Sequence, residues 1–471
     1  LAGGELVPFD SSETIDVVNP ATEETIGKIG DANKRDVDRA VSAARDAFEN
    51  SGWARMSPQE RAVYVTALAK AFDKYGESIS SQITDQNGIT LGLSRKVNYE
   101  RPQGIYALFA GFADDISSEE IRSNYNRTSQ TLLRYEPYGV TGFILPWNGP
   151  QLLLAFKLAP SLMAGNTVVF KAAPETSLDL ATFNDAINEA GFPAGVINFI
   201  TGGREAGDAL VRHPDVSKVG FTGSTEAGRK IGAACGEALK PVTLELGGKS
   251  AAIVLEDADL DLLVRHIPET LIPGNGQACN ANTRILVPRA MEDTIVERLA
   301  EGMRKIVVGD PRDERSVYGP LAAERQRERV ERYIALGIKE GADIVVGGGR
   351  PANLNRGYYV EPTLFRNVTN DMTIAREEIF GPVLSVIAYD SEAEAIAISN
   401  DSSFGLGGIV YTADHGRAVD IARQIQTGSI GINRYAVDYN TPFGGYKASG
   451  VGRDLGLEAV NAYRQSKAIY I

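Results

Sequence analysis

Two cysteines, Cys235 and Cys279, are the only thiols in this chain of 471 residues. They stand 44 residues apart with no C-x-x-C pairing, a usage that suits free thiols in a reducing, cytoplasmic setting rather than a disulfide framework. Cys235 lies in the Ala-rich run IGAACGEA, where a small buried packing residue is expected. Cys279 closes the run GNGQAC at residues 274–279. Two glycines and an amide beside a thiol describe a tightly turned, exposed backbone that could surround a nucleophile with donors; an incidental loop cysteine would look the same. Glu245 ends the strand-like run VTLELGG, so its carboxylate emerges at a flexible turn. It could activate water there, or stand as a solvated or ion-paired group. Asn148, in PWN, offers a fixed amide donor for an oxyanion. The three histidines, His213, His266 and His415, have no zinc-ligand spacing, and none sits in a motif that would make it a base.

Several glycine clusters resemble phosphate loops and fail on spacing. The run GVGRDLG at residues 450–456 places its third glycine one residue late, and GKS at residues 248–250 lacks the first glycine of a P-loop, which would fall at Thr243. No G-x-S-x-G elbow exists. The run GSTEAG at residues 223–228 survives, because a strand-like run precedes it and a helical one follows. Free amides at that helix start could bind a pyrophosphate, although a plain capped turn has the same pattern.

These residues need elements to hold them. Val37, Ala40, Val41, Ala44 and Phe48 recur at helical spacing, and Ser57, Pro58 and Glu60 combine a capping box with proline in the first turn. From residue 138, short β-branched runs at 139–145, 167–171, 195–200, 218–222 and 251–255 alternate with amphipathic stretches at 178–190 and 225–239. That alternation predicts a parallel α/β sheet with a nucleotide site at the carboxyl ends of its strands. A second α/β series follows Gly276, with strands at 283–288 and 342–347 and helices at 292–306 and 324–336. Residues 123–136 are polar and alternating, which predicts an antiparallel hairpin outside the sheets. Residues 466–471 alternate as a terminal strand, suited to a subunit contact or an intrachain edge.

Composition narrows the classes. At 43% hydrophobic and 23% charged, the chain is an ordinary globular one of about three structural units. A net charge of −13 without a basic run disfavours nucleic acid and anionic membrane surfaces as partners. The longest uncharged stretch, residues 137–156, carries Pro146, Asn148, Pro150 and Gln151 in its middle, which argues against a membrane span. The first residue is Leu1, which leaves open whether other residues precede it.

The runs ILPWN, AGNTVVFK, FTGSTEAGRKI, LELGGKS, GNGQACNANTR, EEIFGPV and PFGGYKASGVGR occur in that order. Together they resemble the NAD(P)-dependent aldehyde dehydrogenase superfamily over essentially the whole chain. The resemblance implies a Rossmann-type cofactor domain at 1–122 and 137–246, an α/β catalytic domain at 247–447, and a small β oligomerisation element from 123–136 and 448–471 that joins dimers or tetramers. It implies Cys279 as nucleophile, Glu245 as general base and Asn148 as oxyanion donor beside the Cys279 backbone amide. Cofactor positions by the same resemblance are Trp147, Lys171, Pro174, Glu175, Gly223, Ser224, Gly247, Glu378 and Phe380. The substrate tunnel is matched by Gly149, Leu153, Phe156, Pro273, Asn280 and Phe443.

Two departures bear on specificity. Many family members carry an acid three residues after the cofactor lysine, where Pro174 stands here and Glu175 is displaced by one. NAD remains the expected cofactor because no cation replaces the acid, with NADP open. Members acting on carboxylate-bearing semialdehydes commonly place Arg at the position of Phe156, so an uncharged, apolar aliphatic or aromatic aldehyde is expected. Gly149 and Pro273 stand where bulky aromatics are common, which suggests a roomy entrance. A CoA-acylating aldehyde dehydrogenase is the alternative, and such enzymes typically lack the base that Glu245 resembles.

Overall fold

A computed structural model describes residues 1–471. Its first sheet is ordered Gly450–Val451, Val242–Glu245, Val216–Thr222, Val140–Ile144, Thr167–Lys171, Ile197–Ile200. The last five strands pair in parallel, and only Gly450–Val451 runs antiparallel, with Gly450 opposite Glu245. Chain order runs outward in both directions from Val140–Ile144, so a switch point lies between that strand and Val216–Thr222. Open parallel sheets bind ligands in the crevice beyond such a point, and the turns leaving these two strands carry Trp147, Asn148, Gly223 and Ser224.

The second sheet is ordered Asp343–Val346, Thr363–Arg366, Val383–Tyr389, Arg284–Pro288, Ala251–Val254, Gly408–Tyr411, Gly431–Ile432. It is parallel except for Asp343–Val346 at its edge. Residues 251–255, expected in the first series, form Ala251–Val254 of this sheet, paired with Arg284–Pro288 and Gly408–Tyr411. The chain crosses between the sheets right after Glu245, through the paired glycines Gly247 and Gly248.

The expected hairpin is displaced: its strands are Glu119–Ser123 and Gln130–Pro137, joined by a turn in which the Asn124 carboxamide accepts the Thr128 N–H at 2.8 Å. The terminal strand, Arg464–Tyr470, pairs along the whole of Gln130–Pro137 as an intrachain edge. Residues 448–463 lie elsewhere, as the sheet edge Gly450–Val451 and the helix Gly456–Ala462.

The helices follow their caps. Pro58–Asn87 begins at Ser57, whose hydroxyl accepts the Glu60 N–H while the Glu60 carboxylate accepts the Ser57 N–H, and ends at Gly88 with φ +77°. Thr225–Glu237 begins at Ser224, whose Oγ accepts the Ala227 N–H, and buries Cys235 completely. The first sheet is stiffened by aromatic packing. Phe170, next to Lys171, lies 5.4 Å from Phe199 and 6.2 Å from Phe183, ring centre to ring centre, and all of its side chain is withdrawn from water. Replacing it with alanine leaves a void beneath the strand that ends in Lys171. We expect Phe170→Ala to lower the unfolding free energy by about 3–5 kcal/mol in urea titrations; an unchanged midpoint would contradict this packing account.

Candidate active site

A single cleft of about 1270 Å³ runs from Lys34, Asp38 and His213 at its outer end to Cys279. All twelve residues expected to hold cofactor or do chemistry line it: Trp147, Asn148, Lys171, Pro174, Glu175, Gly223, Ser224, Glu245, Gly247, Cys279, Glu378 and Phe380. The first sheet supplies its floor through the turns after Val140–Ile144, Thr167–Lys171 and Val216–Thr222. The segments 274–279 and 378–380, flanking the second sheet, supply the opposite wall.

The loop that carries Cys279 is tightly wound. Gly274, Asn275 and Gly276 all have positive φ, and a Cβ on Gly276 would lie 2.0 Å from the Gly381 carbonyl oxygen, so the glycine is required. Cys279 is half-buried. Burial, with Glu378 and Glu245 adding negative charge, pushes its thiol up to about 12, against the pull of the Cys279 and Asn280 backbone N–H groups. Those same amides face the sulfur, so an oxyanion formed beside it would meet them. Asn148 Nδ2 donates to the Gln277 carbonyl at 2.8 Å, which holds the side-chain amide against the nucleophile loop.

Glu245 has neither carboxylate oxygen hydrogen-bonded, and both are buried. Its Oε1 faces Gly444, where a Cβ would lie 2.6 Å away. Burial first, then the nearby Asp454, raise its pKa well above the usual carboxyl range, while Lys157 and Arg453 oppose the shift. Sequence reasoning missed this partner set. Lys157 and Asp454 form an ion pair with no solvent exposure, 297 positions apart in the chain, and Lys218, 5.0 Å above the Tyr463 ring, completes the buried cluster. Burial lowers Lys218 to about 8.

At the Glu378 end, the carboxylate accepts the Gly248 N–H at 3.0 Å, and burial raises it to about 7 against Gly248, Arg329 and Lys249. A Cβ on Gly247 would sit 2.4 Å from Glu378 Oε2. Phe380 adopts φ +62°, an uncommon conformation for a bulky residue. It is held by Gln326, which donates to its carbonyl at 2.7 Å, and by an edge contact with Trp147 at 5.5 Å between ring centres. Lys171 donates to the carbonyls of Ala172 and Gly202 at 2.9 and 2.8 Å; burial lowers it to about 8, against Glu175 and Asp31. Glu175 is ion-paired with Arg325.

The residues expected to form a substrate tunnel lie outside this cleft, beyond Cys279. The Phe156 ring meets those of Tyr439 and Phe443 at steep angles, 5.9 and 6.1 Å between ring centres, and Leu153, Val437, Tyr439 and Cys279 all pack on one apolar cluster. A Cβ on Gly149 would meet Val97 at 3.3 Å, so the helical segment Lys96–Glu100 fills part of the space that the glycine leaves. Pro273 precedes the nucleophile turn, its carbonyl accepting the Gly276 N–H at 3.0 Å. The Asn280 carbonyl accepts from Asn282 at 3.2 Å. Val97 and Tyr439 carry no local sequence signal.

Fold and site define an α/β protein with a nucleotide-type cleft facing a thiol. The model of the aldehyde dehydrogenase family matches residues 7–469, and the chain belongs to that family. It is 46% identical over 469 residues to the geranial dehydrogenase of Castellaniella defragrans, covering all of this chain and 98% of that one. A crystal structure of Mycobacterium tuberculosis aldehyde dehydrogenase complexed with NAD+ superposes with a TM-score of 0.96 at 44% identity, covering 99% of this chain and 96% of the other. A mutant of aldehyde dehydrogenase C from Pseudomonas syringae, complexed with NAD+ and octanal, gives 0.96 at 37% identity, covering 99% and 95%.

The half-buried thiol generates a testable pH dependence. With its pKa near 12, the thiolate fraction in the ligand-free protein is small at neutral pH and rises about tenfold per pH unit. Iodoacetamide alkylation of Cys279 should therefore accelerate continuously from pH 7 to about pH 10, followed by mass spectrometry; a plateau below pH 9 would refute the assignment.

Proposed function

We propose that the protein oxidises an uncharged, apolar aldehyde to the carboxylic acid with NAD, through a thiohemiacetal and thioester on Cys279. The observation that carries this reading is the continuity of one cleft from Lys171 and Ser224 to Cys279, Asn148 and Glu245. The cleft fits a dinucleotide on its own features. The N-terminus of Thr225–Glu237 opens into it, Lys171 has no directly bonded carboxylate partner, and Glu378 closes on glycines that admit no side chain. In this reading Lys171 and Glu378 hold the two riboses, Ser224 and the helix amides hold the pyrophosphate, and Trp147 and Phe380 flank the nicotinamide end. Pro174, Gly223 and Gly247 leave room for close approach. The chemistry supplied there is hydride acceptance, which turns the thiohemiacetal into a thioester.

The chain's own residues do the rest. Cys279 Sγ, as the thiolate left once its proton has passed to solvent, adds to the carbonyl carbon, and the resulting oxyanion accepts hydrogen bonds from Asn148 Nδ2 and the Cys279 backbone N–H. Glu245, once deprotonated, takes a proton from water as that water attacks the thioester, and the acid leaves with Sγ restored as thiolate. Phe156, Tyr439 and Phe443 present rings to the substrate, so a carboxylate-bearing aldehyde would lose hydration without gaining a partner at those rings. Geranial and octanal, named with two relatives, are uncharged apolar aldehydes and support the same choice. NAD is preferred over NADP because solved relatives are complexed with NAD+, and because three of the cleft's cations, Lys34, Arg212 and Lys230, are each engaged by a neighbouring carboxylate, on Asp38, Asp208 and Glu226. A 2′-phosphate would have to compete for them. The solvent-exposed Ile121, Ile469 and Tyr470 of the three-stranded sheet support a subunit contact there, in a dimer or tetramer.

Glu245→Gln should give a burst of reduced cofactor close to one per active site, then steady turnover lower by about a hundredfold or more; undiminished steady turnover would remove Glu245 from the base role. Across an aldehyde panel, kcat/KM should favour octanal and benzaldehyde over succinic semialdehyde by at least about tenfold, the scale of one lost polar partner, and NAD over NADP. A semialdehyde or NADP preference would overturn the corresponding choice.

A further inference from the structure

The nucleophile loop and the loop bearing Asn148 are built on different sheets, yet an oxyanion donor works only at a set distance and angle from the reacting carbon. Asn87, the last residue of Pro58–Asn87, lies behind this junction. It is 3% exposed and does not line the cleft. Its Nδ2 donates to the Trp147 carbonyl at 2.9 Å, one residue before Asn148, and its Oδ1 accepts the Ile89 N–H at 3.1 Å. The following residue, Gly88, touches the far side: a Cβ on Gly319 would lie 2.0 Å from the Gly88 carbonyl oxygen. Gly319 in turn accepts a hydrogen bond from Asn275 Nδ2 at 2.9 Å, and Asn275 belongs to the nucleophile loop. The circuit closes where Asn148 donates to Gln277 and Gln277 Oε1 accepts the Ala322 N–H at 3.0 Å. Two further contacts pin the 311–319 segment to the same helix end. These are the Leu91 N–H donated to the Pro311 carbonyl at 2.8 Å and the Arg312–Asp85 ion pair at 2.5 Å.

We propose that Asn87 is a positioning residue for the oxyanion donor, fixing the Asn148 loop relative to Cys279 by gripping the Trp147 carbonyl while the adjoining Gly88 abuts the segment that holds Asn275. The inference rests on the role given to Asn148 above. Without Asn87, the Trp147 carbonyl loses its anchor and Asn148 remains tied only to Gln277, so the amide can follow motions of its own loop. Misplacement on the scale of an ångström is enough to cost a large part of the catalytic benefit of such a donor.

A double-mutant cycle tests it. Asn87→Ala should lower kcat for octanal oxidation by about 10–100-fold, with KM changed less than about threefold. Asn148→Ala should cost about 100–1000-fold, and the double variant should fall no more than about threefold below Asn148→Ala, because a group acting through another adds nothing once that other is gone. Iodoacetamide alkylation of Cys279, a displacement that forms no oxyanion, should stay within about twofold of wild type in Asn87→Ala. Multiplicative losses in the double variant, a parallel fall in alkylation, or unchanged kcat would each overturn the proposal. Near-normal activity of Asn148→Ala would instead defeat the reading of Asn148. If Asn87→Ala does not fold, Asn87→Asp serves in the same cycle, since its ionised form keeps the acceptor for Ile89 and cannot donate to Trp147; full kcat for that variant would be equally fatal.

Discussion

The hydrogen bond from Asn148 to the Gln277 carbonyl joins a loop of one sheet to the nucleophile turn beside the other, and the usefulness of everything around it depends on that junction holding. Each sheet is internally rigid, with parallel ladders and dry aromatic layers such as Phe143, Phe170 and Phe183. Rigidity within a sheet places a residue accurately only relative to its own sheet. The groups proposed to act together are split: Asn148, Glu245, Lys171 and Ser224 come with the first sheet, Cys279 and Glu378 with the second. Precision between them is therefore set by a few cross-contacts, among them the Gly248 N–H on Glu378 and the steric meeting of Gly248 with the Cys279 carbonyl.

Desolvation is the second constraint. Glu245, Glu378, Lys171, Lys249 and Cys279 are all shifted toward their neutral forms by burial. Taking an ion out of water costs several kcal/mol unless it is paired, and Lys157 with Asp454 is the one ion pair in which both side chains are fully withdrawn from water. At the Cys279 end, a thiol and a carboxyl both pushed toward their neutral forms impose little charge on an apolar aldehyde. It also makes each proton that enters or leaves consequential, because neighbours a few ångströms away feel it without much screening.

Legibility in the sequence followed the range of the interaction. Ser224, Lys171 and the cap at Ser57 are local events, in which a strand, a turn and a helix declare themselves within a dozen residues. Cys279 and Glu245 are legible as chemistry-bearing residues on turns, but their meeting in one cleft rests on the ordered motifs, not on spacing. Short strands such as Thr363–Arg366 and Gly408–Tyr411 carry too few residues for periodicity to separate them from buried helix. Ala251–Val254 is recognisable as a strand while its sheet is not, since partner choice is decided by packing across 33 to 157 residues. Lys157, Asp454, Val97 and Tyr439 are invisible for the same reason: nothing near them in the chain announces the neighbour that gives them a role. The space expected beside Gly149 is a case where the chain supplies its own filler, Val97, from a segment fifty residues upstream.

The antiparallel edge Gly450–Val451 lies directly along the strand that ends in Glu245, and Gly444 walls the carboxylate itself. The pocket of the proposed base is thus completed by residues some two hundred positions after it. During synthesis, an emerging chain holds the lysine, the helix start and the thiol well before it holds this wall. Until residues 444–451 have been made, the strand that ends in Glu245 lacks both this edge partner and the glycine that walls the carboxylate. The surroundings that raise the Glu245 pKa therefore cannot assemble before residues 444–454 have been made.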